Sequence, residues 1–367
     1  MTRSASIPNQ PASTSHASET PSDDRPPADK SKSNLHSLAA TWARKYIVSV
    51  TSDYDEAQIK KLDRLANYAT PEGREYTAEK LMQRLKLAIA QAWSMTEELL
   101  AAEVLRHGID SSLLDPWQIA ADSHQLFEKA LLAYGDQLTA QRLSVVIGDD
   151  CGRLRQKYTD QDPRAIGFVS MQFHHTGKIL LDQLSPAEQG LFSPFLKVMD
   201  DHMYMPLQNA YQAAATHDSD SPELIAVQNL LPISSRVAHR VCDQIHRLNP
   251  GYQTYSGSLN SSEVRTSSVR DVEMFQVYLC LCALEGNVSS VQRQLFPLCV
   301  MLYPRLKVKW QMVQEMLQVM GWELYGQLSP GDMTVLIPYL QALTEMFSID
   351  VFQEAQSFEF CSRVENR

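Results

Sequence analysis

The chain has little of what announces a known chemistry. Only 14 of its 367 residues are glycine, and none falls into G-x-G-x-x-G, G-x-x-x-x-G-K-[ST] or G-x-S-x-G. A phosphate-cradling loop and a nucleophile elbow are therefore not legible. H-E-x-x-H and the paired Glu-x-x-His of di-iron bundles are absent as well. Long apolar runs are missing too. Met274–Leu284 and Leu295–Leu302 fall well short of the ~20 residues a bilayer-crossing helix needs, and Pro297 and Pro304 break up the second. The first 36 residues have no apolar signal core, and their acidic residues argue against a transit peptide, so a cytoplasmic protein is expected.

Positive charge is the other shortage. Lys+Arg number 33 against 43 Asp+Glu, a formal charge of −10, which opposes general binding to a nucleic-acid backbone. Cysteine is sparse: Cys151, Cys242, Cys280, Cys282, Cys299 and Cys361 are spread over a long chain, and free thiols are expected in a reducing compartment.

What is present is apolar spacing of helical period. The clearest case is Tyr76–His107, where Leu81, Leu85, Ile89, Ala92, Trp93, Leu99, Leu100 and Val104 recur at intervals of three and four, with Gly108 as the stop. Strand-like alternation is scarce. Helices are also expected over Ala39–Val50, Glu56–Ala69, Pro116–Leu132, Asp136–Ile147, Pro163–Leu184, Pro186–Ala214, Pro222–Leu230 and Ile233–Leu248. After these come Val269–Glu285, opened by a capping box at Ser268-x-x-Asp271 and closed by Gly286, then Val288–Tyr303, Lys307–Gln327 and Pro330–Phe347. The expected fold is all-α, an irregular multi-helix bundle in two helical lobes. The polar segment Thr216–Glu223 divides an acidic lobe at 37–218 from a second lobe at 219–355. Residues 1–36, poor in large apolar side chains, are expected to be a disordered tail, and 356–367 a C-terminal tail. The stretch Asn249–Ser267 reads as a functional loop or a small hairpin.

Two sets of residues invite a function. Between Leu231 and Val313, nine Lys/Arg stand against five Asp/Glu, a local excess of +4 that leaves −14 for the rest of the chain. Arg236, Arg240, Arg247, Arg305, Lys307 and Lys309, with Trp310 beside them, form a candidate basic face for an acidic protein partner or an anionic ligand. The expected function is a non-enzymatic adaptor, assembly factor or regulator. Stacking of Tyr303 and Trp310 on nucleic acid is the weaker use of that face, given the acidic remainder.

The second set is His174, His175, His202, His239 and Cys242. Imidazole and thiolate are ligands for a transition metal, and a His-bearing helical pocket also suits haem or another tetrapyrrole. This is the alternative reading, an enzyme or cofactor-binding bundle. Asp200 and Asp201 beside His202 supply acid/base candidates. On Ile233–Leu248, His239, Cys242 and His246 are expected on the side away from the apolar stripe. Cys280, Cys282 and Cys299 read as core residues.

Overall fold

Helix after helix begins at a residue whose side chain accepts from a free N–H of the first turn and is followed by proline, which has no N–H to satisfy. The computed structural model describes residues 30–46 and 67–351, with side chains from Ser37 onward. The first helix, α1 (Lys30–Ala43), is followed after the break by α2 (Pro71–His107), α3 (Pro116–Gly135), α4 (Ala140–Thr159), α5 (Ala165–Leu181), α6 (Pro186–Tyr204) and α7 (Leu207–Ala215). Then come α8 (Pro222–Leu230), α9 (Ser234–Leu248), α10 (Ser262–Glu285), α11 (Phe296–Arg305), α12 (Trp310–Tyr325) and α13 (Pro330–Met346). The only strands among the described residues are β1 (Gln253–Thr254) and β2 (Gly257–Ser258), a two-residue antiparallel hairpin. The chain is an all-α multi-helix bundle, and no helix among the described residues is long and apolar enough to cross a membrane.

Several helix ends lie where the sequence places them. Asp115, Ser185, Ser221 and Ser329 cap α3, α6, α8 and α13, each before a proline, while Thr70, also before a proline, caps α2, whose start at Pro71 lies five residues ahead of the one expected at Tyr76. Gly108 and Gly286 end α2 and α10 in the left-handed region at φ 60° and 67°, a conformation that costs a residue with a Cβ about 1–2 kcal/mol.

Other boundaries differ from expectation. Helix α1 begins at Lys30, inside the segment expected to be disordered, because Leu38 and Trp42 recur at helical spacing and both become fully buried. Residues 1–29, 47–66 and 352–367, and with them most of the helix expected over Glu56–Ala69 and the C-terminal tail, lie outside the described residues. The helix expected over Asp136–Ile147 runs instead from Ala140, capped by Thr139, to Thr159. Pro186–Ala214 is two helices, since Pro206 leaves Met205 extended (φ −104°, ψ 143°). The capping box at Ser268 is overturned. Helix α10 starts seven residues earlier, with Ser261 accepting from the Val264 N–H at 3.3 Å, and Ser268 lies within its interior.

Helix α10 is the centre of the bundle. Every residue from Val272 to Leu284 is buried, not the single stripe that periodicity suggests, because α6, α7, α8, α9 and α13 all pack against it. The buried apolar side chains form one cluster reaching from Leu38 to Phe347 on both sides of Thr216–Glu223. An aromatic knot of Phe275, Phe296, Trp310 and Phe347 closes one end, with Trp310 stacked on Phe347 at 5.3 Å between ring centroids.

Candidate functional site

Charge in the middle of an apolar bundle is costly unless it is paired and hydrogen-bonded. Here it is concentrated where α1, α6 and α10 meet. Lys45 is buried with its Nζ 2.8 Å from Glu273 and 3.0 Å from Asp201. Lys197 reaches the same two carboxylates at 3.3 Å each. The Tyr46 hydroxyl donates to Asp201 at 3.0 Å and receives the Trp42 indole N–H at 3.1 Å, while the Ser235 hydroxyl donates to Glu273. Lys45 also lies 3.6 Å from the centre of the Trp42 ring. Burial pulls the Lys45 ammonium below its ordinary pKa, and Asp201 and Glu273 offset this only in part. Burial would raise the Glu273 carboxyl, but Lys197 and Lys45 outweigh it and hold it well below its usual range. For Lys197, burial opposes the charge and the same two carboxylates overcome it, so its pKa rises.

This buried set backs onto an open cleft of about 420 Å³ between α5, α6 and α10. At its inner end, His174 Nδ1 lies 3.4 Å from Asp200 Oδ2, and the Arg270 guanidinium donates to the same oxygen at 3.3 Å. Arg270 lies over the Tyr204 ring at 3.6 Å. Burial works to raise the Asp200 carboxyl, yet the hydrogen bond to His174 and the charges of His174, Arg270 and Lys197 keep it below its ordinary value. The outer rim carries a Lys178–Glu263 pair at 2.5 Å. The spacing explains the construction: His174, Lys178 and Asp182 repeat at four residues along α5, as do Lys197 and Asp201 along α6.

The sequence-selected ligands are scattered. His174 alone of the five lines this cleft. His175 is buried behind it with neither ring nitrogen hydrogen-bonded among the described residues. Burial, with the His174 and Lys178 charges, pushes its pKa down to about 4. His202 is buried elsewhere, 2.8 Å from the Ser144 hydroxyl, and burial likewise takes it down to about 4. His239 is exposed on α9. Cys242 does not share that exposed side, a correction to the helical-wheel expectation. It lines, with His246, an apolar pocket of about 90 Å³ under α9, where burial raises its thiol to about 12. Among the described residues no group of three or more His, Cys, Asp or Glu is placed to hold a metal ion. The five described cysteines are unpaired and buried.

The basic stretch is also redistributed. Trp310 is buried in the aromatic knot, not on a surface, because helical period turns it inward with Val313 and Leu317. Arg305 pairs with Glu103, a buried carboxylate of α2 that also holds His107 at 3.0 Å. The remaining cations follow one strip. Arg236 donates to Gln327 at 2.7 Å, Arg240 pairs with Glu323 at 3.3 Å, and Asn249 donates to Glu315 at 2.9 Å, so α9 runs antiparallel along α12. Arg247 is exposed on the last turn of α9. Tyr252 then pins the loop bearing Lys307 and Lys309, accepting from the Lys309 N–H at 2.9 Å and donating to the Lys307 carbonyl at 2.6 Å. On the adjoining outer side of α12, Trp322 and Tyr325 are 66% and 57% exposed.

Sequence reasoning singles out His174 and Asp200 but misses Lys45, Lys197, Arg270 and Glu273. The available signal is charge inside an apolar run: Glu273 interrupts the apolar stretch of α10, and Lys45 adjoins Trp42 and Tyr46. Comparison with family models, curated proteins and solved structures finds no match to this chain.

Proposed function

We propose that the chain is a non-enzymatic, cytoplasmic interaction protein that docks an acidic protein partner on the α9–α12 strip, within the 219–355 segment we take as a second lobe. The supporting observation is the composition of that strip. Arg236, Arg240 and Arg247 alternate with polar contacts along α9, Lys307 and Lys309 extend the line, and Trp322 and Tyr325 stand exposed beside it. Arginine, tryptophan and tyrosine are the side chains that carry most binding energy at protein interfaces. From Lys309 to Gln327 the strip spans about 27 Å at 1.5 Å per helical residue, enough for one face of a standard interface. Its positive sign steers acidic surfaces and repels basic ones. Support for the compartment comes from the five described thiols, all buried and none in a disulfide.

The test compares the full chain with the triple variant Arg236→Glu, Arg240→Glu, Arg247→Glu in native purification with quantitative mass spectrometry, followed by reconstitution of any stoichiometric partner. The expected result is an acidic partner retained by the parent chain at low salt, weakened by added salt, and lost from the variant. A partner retained equally by both proteins sinks the proposal, and so does a parent chain that purifies with no partner.

A further inference from the structure

Apart from the α9–α12 strip, the cleft between α5, α6 and α10 has the construction of a ligand site. Its volume of about 420 Å³ lies within the roughly 300–1,000 Å³ of small-molecule pockets. Its walls come from rigid helices, and its inner polar groups are held by the buried charges behind them.

The charge inventory decides what it takes. Lys178, Lys197 and Arg270 face the carboxylates Asp182, Asp200, Asp201 and Glu263, so the lining is close to balanced. A net anion or a net cation gains little from such a field. The two ends differ, however. At the inner end the spare capacity is in a donor: Arg270 has five N–H groups, of which one reaches Asp200 at 3.3 Å and another lies 3.7 Å from Asp271, whereas the Lys197 ammonium is taken up by Asp201 and Glu273. At the outer end it is in acceptors: the Asp182 carboxylate has no side-chain partner among the described residues, and Glu263 gives only one oxygen to Lys178. His174 and Asp182 are eight residues apart on α5, about 12 Å along the axis.

We infer that this cleft binds a small zwitterion, an amino acid whose carboxylate and a distant amino group stand several bonds apart, with its carboxylate toward Arg270 and that ammonium toward Asp182 and Glu263. Charge-assisted hydrogen bonds at both ends make recognition depend on the ligand carrying both groups. Neutral hydroxyls of Ser193 and Thr266 lie on the walls between them.

Calorimetric titration of the full chain with L-lysine, L-ornithine, 5-aminopentanoate and 6-aminohexanoate tests this, with succinate as the anion-only control and 1,4-diaminobutane as the cation-only control. The expected result is one-to-one binding of at least one amino acid, with both controls weaker by roughly tenfold or more, the worth of one charged hydrogen bond. Thr266→Trp, at an exposed helix position, is expected to fill the cleft and weaken binding by a similar factor while leaving the melting temperature unchanged. Ser193→Trp on the facing helix is the second blocking variant should the first fail to fold. Absence of binding by all four amino acids, equal binding of either control, or unaltered binding by a folded blocking variant overturns the inference. These outcomes leave the α9–α12 proposal untouched, since the two sites share no residue.

Discussion

The lysines at the α1–α6–α10 junction and the arginines along α9 are chemically alike and structurally opposite. Lys45 and Lys197 are locked between Asp201 and Glu273, with Lys45 almost wholly removed from water. Arg236, Arg240 and Arg247 stay in solvent, where an ion pair such as Arg240–Glu323 contributes at most about 1 kcal/mol. The difference teaches that charge does two jobs in this molecule. Inside, its removal unbalances a desolvated set and threatens the fold; outside, its removal alters only what the surface attracts. Arg305 crosses that boundary, belonging to the basic stretch by sequence and to buried Glu103 by structure.

The largest expected effect is at Lys45. Lys45→Ala leaves Asp201 and Glu273 with one cation between them, and breaking a buried pair costs about 3–5 kcal/mol. Urea unfolding reads this as a lowered midpoint; a loss below about 1 kcal/mol would show the junction to be as solvated as the α9 strip. The two tryptophans of α12 sharpen the same contrast. Trp310→Ala removes a buried ring stacked on Phe347 and is expected to cost about 3 kcal/mol, whereas Trp322→Ala on the exposed side stays within about 0.5 kcal/mol. Equal losses in thermal melts would mean that Trp322 is covered by structure of its own chain.

A third comparison is in pH. His175 and His202 have folded-state pKa values near 4, against 6.5 for the ordinary histidine. Between those values the unfolded chain binds protons that the folded chain refuses, so stability is complete above pH 6.5 and falls as the pH drops toward 4. Each histidine contributes a slope of about 1.4 kcal/mol per pH unit. His202→Gln, which keeps a hydrogen-bonding partner for Ser144, is expected to remove its share of that slope in denaturation midpoints measured across this window. An unchanged slope would show that His202 is already protonated in the folded protein. Asp200 and Glu273 act in a lower window, since their carboxyls lie below their ordinary values and lose their contribution only in stronger acid.

Much of the helical layout is legible in the order of residues alone. Capping residues followed by proline set the starts of α3, α6, α8 and α13, and two glycines in the left-handed region set the ends of α2 and α10. These signals act within one turn, so neighbours in sequence suffice to read them. The start of α10 escapes that reading because two capping serines compete, and the choice of Ser261 over Ser268 follows from what the extra turns pack against. The site is legible in fragments. His174 and Asp200 are each noticeable as acid/base residues, but their contact depends on α5 and α6 lying side by side.

By itself, the sequence determined the all-helical class, most helix ends and the acidic balance with its basic stretch, because capping, periodicity and charge count are local or additive properties. Only the tertiary structure decided which charges were desolvated. Lys45 and Glu273, 228 positions apart, meet because α1 packs on α7, which in turn packs on α10 and brings the turn after α1 to that helix. Whether a charge becomes part of the interior or of the surface depends on that distant packing, since the dielectric around a group is set by its neighbours in space.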